Sequence, residues 1–314
     1  MRLAIIVPMF NEELCVEKTI KVLDNLLKEY IKDNLIDDDS YLLLVDDGSK
    51  DKTWHKVLNS KKKIKSIKAI KFSKNFGNQS AIIAGYKTAE KIGCDMAVTI
   101  DADLQQDEKK IKDFIKAYND GYEIVCGIRK SYDNKYGLKS LTSNLFYKTI
   151  NFLGVNLQPN HSEYRLIGKK ALSIINKYKE TNIFVRGMIY DLGLKTKFIT
   201  YNIRKREYGE SKFNFISLSK MAVGAIVSFS VRPLRLVFLT GAVICAISMI
   251  LALLMFIQML LQMKILAASV KPFEIGMTLF AGIQILCTGI IGEYIGQILM
   301  EIKERPRYII DEEI

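Results

Sequence analysis

Cysteine is scarce in this chain, five among 314 residues, and no two of them form a Cys-x-x-Cys pair. Cys15, Cys94, Cys126, Cys245 and Cys287 do not read as a disulfide framework or a zinc site, which fits a reducing compartment. No Gly-x-Gly-x-x-Gly is present, which disfavours a nicotinamide site. The absence of Gly-x-x-x-x-Gly-Lys-[Ser/Thr] excludes a P-loop enzyme. No signal peptide is expected: "MRLAIIVPMFNEE" is too short and too soon charged to be one and reads as a strand. The body of the chain is therefore expected in the cytosol.

Charge is absent from one long run. Leu236 to Gln262, "LVFLTGAVICAISMILALLMFIQMLLQ", holds 27 residues without a charged one. About 20 suffice for a helix to cross a bilayer, so a first transmembrane helix is expected over 236–262. A second is expected over 273–300, where Ile275 to Gly292 is free of charge and Glu293 lies near an interface or faces the other helix. Arg232 and Arg235 flank the first span, and Lys303, Arg305 and Arg307 follow the second; the connection offers only Lys264 and Lys271. Positive residues mark the inner side, so both ends belong in the cytosol and the short loop outside.

The net charge is +12. From Leu236 onward there are five basic and seven acidic residues, so the first 235 residues carry +14. A basic body on an apolar tail points to an anionic partner, whether a lipid surface, a phosphate-rich ligand or nucleic acid; lysines kept for solubility are the plain alternative.

The body alternates strands with helices. "RLAIIVPMF" is a strand, and the helix after it repeats apolar residues at Leu14, Val16, Ile20, Leu23 and Leu27. "SYLLLVDDGSKD", "IKAIKFSKNFG", "CDMAVTIDADLQ" and "YEIVCGIR" are further strands, the first three each followed by a helical pattern. That alternation predicts an α/β fold with a doubly wound, mostly parallel sheet. Ligands of such sheets bind beyond the carboxyl ends of the strands. "PMFNEE", "DDGSKD", "SKNFG" and "DADLQ" all fall there and should converge on one crevice.

On an extended chain, Asp101 and Asp103 point the same way and can share one hard cation. Magnesium and manganese prefer oxygen ligands and keep water and substrate phosphates in their shell. A cation so held stabilises a diphosphate as a leaving group. The competing reading is an acidic start to the next helix, shared with Asp107 and Glu108. Asp46 and Asp47 repeat the theme one strand earlier, where a carboxylate can accept hydrogen bonds from a base or ribose.

In this order, "VPMFNEE", "VDDGSKD", "KNFGNQSAIIAGY" and "DADLQ" resemble the inverting glycosyltransferase family 2 with its GT-A fold. "NHSEYRLIGKKAL", "FVRGMIYDLG" and "REYGESKFNFISLSKMA" sharpen the likeness. With two C-terminal spans, the chain is similar to polyprenyl-phosphate glycosyltransferases, the group of the dolichol-phosphate mannose and glucose synthases. The resemblance implies a cytosolic GT-A catalytic domain over 1–212, an interfacial amphipathic helix over 213–235 and a cytosolic tail over 301–314. It also implies transfer of one sugar, with inversion, from a nucleotide diphosphate sugar to a membrane polyprenyl phosphate. A UDP-sugar and undecaprenyl phosphate are the preferred pair. The setting is the inner (cell) membrane, multi-pass, with both termini cytosolic; no nucleic acid partner is expected, and the oligomeric state stays open. By the same resemblance Pro8, Phe10, Asn11, Glu12, Asp46 and Asp47 line the nucleoside pocket, with Asn75 and Gly77 beside it. Asp101, Ala102, Asp103 and Gln105 meet the diphosphate, and Asp101, Asp103 and Gln105 hold Mg2+ or Mn2+, with Asp103 the direct ligand.

Arg129, Arg206, Ser211 and Lys212 are candidates for the lipid phosphate, since arginine forks match phosphate oxygens and lysine adds a point charge. Glu163, in "HSEYRL", stands where relatives carry an aspartate, and is a catalytic candidate with Asp103 and Arg206. A phosphate monoester is largely ionised at cytosolic pH and needs little deprotonation. Glu163 is thus either a base or a group that orients the sugar or a basic partner, the second reading being preferred. A processive polysaccharide synthase is the rival enzyme, but its Gln-x-x-Arg-Trp motif is missing. A non-catalytic membrane adaptor that binds nucleotide sugars is the rival from another class.

Overall fold

The first strand, β1 (Leu3–Met9), is buried at all seven positions, and so are all six of β2 (Tyr41–Asp46). Continuous apolar runs of this kind need cover on both faces, which is how parallel strands sit between helices. The protein is described here from a computed structural model, over residues 1–130, 161–180, 185–204 and 270–314 with parts of 234–250. The elements after β1 and β2 are β3 (Ile67–Phe72), β4 (Met96–Thr99), β5 (Ile124–Arg129), β6 (His161–Gly168), β7 (Thr196–Tyr201) and β8 (Ile310–Glu313). Between them run α1 (Val16–Lys32), α2 (Thr53–Lys63), α3 (Asn78–Ile92), α4 (Ile111–Asn119), α5 (Lys169–Ile175), α6 (Val185–Asp191) and α7 (Val270–Ile302).

These strands form one sheet of eight in the order β7-β5-β6-β4-β1-β2-β3-β8. β1 pairs in parallel with β2 and β4, β2 with β3, and β5 with β7. β6 runs antiparallel between β4 and β5, so the sheet is mixed. Alternate residues of each strand feed opposite cores. Leu3, Ile5 and Val7 join Val16, Ile20, Leu23 and Leu27 of α1 on one face. Ala4 and Ile6 join Ile82 and Ile83 of α3 on the other. Leu14 departs from the expected apolar stripe. It is 68% exposed, because α1 begins only at Val16 and Leu14 sits in the turn before it.

At 33 residues, α7 is about 50 Å long at 1.5 Å per residue, more than a bilayer's hydrocarbon core. None of its stretch Ile283–Ile302 is buried, and it is the one helix among the described residues long and apolar enough to cross a membrane. The described residues between 237 and 250 are also helical, and Phe238, Leu239, Val243, Ile247 and Ile250 are exposed there. The rest of the 236–262 run lies outside the described residues, as do residues 131–160 and 205–233, and with them Arg206, Ser211, Lys212 and most of the 213–235 segment.

The tail beyond α7 was expected only as a cytosolic end. It returns to the sheet and adds β8 antiparallel to β3. Ala69 and Ile314 exchange both N–H···O bonds at 2.9 Å, and the Ser73 N–H donates to the Ile309 carbonyl at 3.0 Å. Tyr308 stacks on Phe72 with ring centroids 5.0 Å apart. An open β3 edge would expose unpaired backbone groups, and the tail covers it.

Candidate active site

Strands β1 to β4 are mutually parallel, so the turns after them share one side of the sheet. Pro8 lies buried within β1 opposite Val45. A proline is tolerated there because β4 ends at Thr99, opposite Ile6, and leaves β1 unpaired on that side beyond it. After β1, Asn11 takes the left-handed conformation with φ 52°. Its N–H donates to Ser49 Oγ at 2.9 Å, and its Oδ1 accepts the Lys50 N–H at 2.9 Å. The Glu12 N–H donates to Thr53 Oγ1 at 2.8 Å. The "FNEE" and "DDGSKD" turns are thereby one piece. Phe10 is half-buried beside them. Cys15 Sγ donates to Glu12 Oε2 at 3.2 Å, and burial pushes its thiol up to about 12, so it is no nucleophile at neutral pH.

Asp46 and Asp47 are both buried but do different things. Asp47 accepts the Phe76 N–H at 2.7 Å and the Gly77 N–H at 2.9 Å, which ties the β3–α3 loop to the β2 turn. Burial outweighs those bonds and raises its carboxyl to about 6. Asp46 accepts the Ser49 N–H on Oδ1 at 3.0 Å, while its buried Oδ2 has no partner. An acceptor in that state invites an N–H from a ligand. Gly48, at φ 68°, packs so closely that a Cβ would lie 2.3 Å from the Lys74 carbonyl carbon, which no other residue tolerates. Asn75 is exposed on the same loop, and Gly77 opens α3.

The acidic pair does not extend β4. That strand ends at Thr99, Ala102 and Asp103 form a turn, and Leu104 is left-handed at φ 52°. The expectation of two carboxylates alternating along a strand is corrected here, and the reason is Gln106. Its Oε1 accepts the Asp101 N–H at 2.8 Å, and its Nε2 donates to Asp101 Oδ2 at 2.6 Å, curling the loop back. Thr19 Oγ1 holds the Ala102 carbonyl at 2.5 Å, and Asp103 Oδ1 accepts the Gln105 N–H at 3.1 Å. The carboxylates still feel one another. Asp101 is pushed up to about 7 by burial first and by Asp103 and Glu163 next, against Arg129 and Arg186. A divalent cation relieves that repulsion, so the residues fit one. Among the described residues no group of three or more His, Cys, Asp or Glu side chains is placed to hold a metal ion. Two carboxylates with water and phosphate oxygens completing the shell is the chemistry of Mg2+ or Mn2+. The helix-start role belongs to Asp107, whose Oδ1 accepts the Lys109 N–H at 3.3 Å.

Glu163, on β6, is engaged at both carboxylate oxygens. Oε1 accepts Gln79 Nε2 at 3.1 Å and Arg186 Nε at 2.8 Å, and Oε2 pairs with Arg165 Nη2. Arg165 is fully buried. This geometry favours orientation of basic partners over proton abstraction.

Residues 4–178 of the chain, which include these strand ends, match the family described as Glycosyl transferase family 2. The chain belongs to that family. It is 38% identical over 309 residues to the uncharacterized glycosyltransferase YkoT of Bacillus subtilis, covering 98% of this chain and 91% of the relative. It is 29% identical over 317 residues to a prophage bactoprenol glucosyl transferase homolog of Escherichia coli, covering 99% and 98%. A crystal structure of glucosyl-3-phosphoglycerate synthase from Mycobacterium tuberculosis overlaps 73% of this chain and 80% of its own, at 16% identity and a TM-score of 0.47. As a family 2 glycosyltransferase the protein is a hexosyltransferase, and its mixed α/β sheet is of the GT-A kind.

Arg129 ends β5, exposed, with its charge felt at Asp101. Four residues of this glycosyltransferase were not singled out from sequence: Gln79, Gln106, Arg186 and Arg204. Arg204 donates its N–H to the Gln105 carbonyl at 2.9 Å and its guanidinium to Glu108 at 2.5 Å and Asp107 at 3.2 Å. That anchors the chain to the acidic loop just before the segment that carries Arg206. Arg186 lay in the quoted "FVRGMIYDLG", which was the available signal.

Proposed function

We propose that this glycosyltransferase moves one sugar from a UDP-sugar to undecaprenyl phosphate, with inversion, at the cytosolic face of the cell membrane. A phosphate oxygen of the lipid attacks the anomeric carbon, the bond to the donor diphosphate breaks, and its electron pair leaves with the nucleoside diphosphate. A phosphate monoester is already mostly ionised near neutral pH, in keeping with a Glu163 whose oxygens are both occupied. Asp46 Oδ2 suits an N–H of the base. Asp101 and Asp103 would hold Mg2+ or Mn2+, with Gln105 beside them. When bound, the cation neutralises charge on the departing diphosphate. The bactoprenol glucosyl transferase homolog supports a polyprenyl phosphate as acceptor.

The observation that carries the membrane half of this reading is β8. An exposed apolar helix that hands its tail back to the catalytic sheet is in keeping with an even number of bilayer crossings. That supports two spans, 236–262 and 273–300, with the domain 1–212, the interfacial segment 213–235 and the tail 301–314 on one side. The test is purified enzyme in detergent with undecaprenyl phosphate, a panel of nucleotide sugars and Mn2+, read by product mass. One added hexose on the lipid, lost with Asp103→Ala, is the expected result. A polymer would favour a processive synthase, and no metal-dependent turnover would favour an adaptor.

A further inference from the structure

Glu163 carries one negative charge and faces two guanidiniums. Arg165, fully buried, already neutralises it. Arg186 is therefore surplus as a counter-ion, and it is differently placed. Its side chain is 28% exposed, and its charge is felt at Asp101 across the crevice. Arg186 Nε donates to Glu163 Oε1 at 2.8 Å, whereas its two Nη groups have no hydrogen-bond partner among the described residues. Gln79 braces the arrangement from α3. Its Nε2 donates to the same Glu163 oxygen at 3.1 Å, and its Oε1 accepts the Val185 N–H at 3.1 Å, one residue before Arg186. The residue before this arginine and the arginine's own Nε are thus both held by other elements of the fold, and the Nη edge is left to offer. A guanidinium fixed through Nε presents a planar pair of donors matched to two oxygens of one phosphate.

We propose that Arg186 binds a phosphate group in the crevice, with Glu163 and Gln79 as the residues that position it. The ligand chemistry is a phosphate oxygen pair, from the donor's diphosphate or from the acceptor lipid. This rests on the function proposed above, but its first readout needs no turnover. Binding of UDP and of uridine to the full-length enzyme in detergent with Mn2+ would be measured by calorimetry for wild type, Arg186→Lys and Arg186→Ala. If the donor diphosphate is the ligand, Arg186→Ala weakens UDP about tenfold or more, Arg186→Lys restores part of the loss, and uridine is unchanged. If the lipid phosphate is the ligand, UDP affinity holds while the KM for undecaprenyl phosphate rises by a similar factor. UDP affinity and lipid KM both within twofold of wild type, in variants that melt normally, would reduce Arg186 to a spare counter-ion and overturn the proposal. Should Arg186→Ala fail to fold, Arg186→Gln and Arg186→Lys carry the same comparison. An enzyme that transfers no sugar to any polyprenyl phosphate sinks the proposed function, yet the difference between UDP and uridine stays readable.

Discussion

Replacing Glu163 distinguishes a counter-ion from a catalytic base. Its Oε2 pairs with Arg165, whose side chain is wholly buried. Glu163→Ala strands that guanidinium in the core and also strips Gln79 and Arg186 of their acceptor. Breaking a buried ion pair from one side costs about 3–5 kcal/mol. At roughly 2–4 °C per kcal/mol for a domain of this size, the melting temperature falls by about 6–20 °C. Glu163→Gln keeps an acceptor oxygen and removes only the charge, so its cost is smaller, about 1–3 kcal/mol. A positioning residue predicts that Glu163→Gln keeps kcat within about tenfold and shifts a KM, whereas loss of a general base removes about 10²–10⁴ of rate. The assay is thermal unfolding in detergent alongside initial rates at saturating donor and lipid. A Glu163→Ala protein that melts within 2 °C of wild type at about that threshold would refute the buried-pair argument. A normally folded Glu163→Gln protein that loses about a thousandfold in kcat with both KM values unchanged would restore the base.

Asp101, held up near pH 7 by burial and by Asp103, favours its neutral form in the metal-free fold. Its contribution to stability is present at low pH and is lost as pH rises through about 7, so metal-free protein should be less stable at pH 8 than at pH 5 on this count. Mn2+ must displace that proton, and its affinity should drop about tenfold per unit below pH 7. Titration calorimetry in buffers of different ionisation enthalpy reads the released proton, and a buffer-independent heat would count against it. Deleting residues 309–314 together with Tyr308→Ala removes the tail's whole backbone pairing with β3, the Lys71–Glu312 ion pair and the Phe72 stack, at least about 3–4 kcal/mol in all. Because Phe72 also packs edge-on against Phe76, whose N–H is held by Asp47, UDP binding should weaken too; unchanged UDP affinity would uncouple the tail from the pocket. For topology, Ala267→Cys should react with an impermeant maleimide from outside intact cells and Lys116→Cys only after permeabilisation; the reverse order would invert the proposed orientation.

Much of the sheet was legible beforehand, because fully apolar runs such as "LLLV" in β2 announce cover on both faces. The acidic loop was legible as a pair, though not in its conformation. Nothing local marks Gln106 as the side chain that folds back on Asp101, since an Asp-Leu-Gln-Gln run is equally compatible with an extended strand. β8 was unreadable for a related reason. "IDEE" is exposed at all four positions and carries no alternation, and it becomes a strand only because the β3 edge accepts it. Leu14 matched the spacing of α1 but missed its start by two residues.

By itself the sequence determined which segments must be buried, which run has no charge to offer water, and the order of polar clusters at strand ends. Periodicity and composition are local, and they suffice for those decisions. Tertiary structure alone decided what each polar group does. Asp46 and Asp47 are neighbours of identical chemistry, yet one is spent on the Phe76 and Gly77 amides and the other keeps a free oxygen. Glu163 draws its partners from positions 79, 165 and 186, brought together by three separate elements. A buried charge takes its role from the groups that solvate it in place of water, and chain reversal selects those groups.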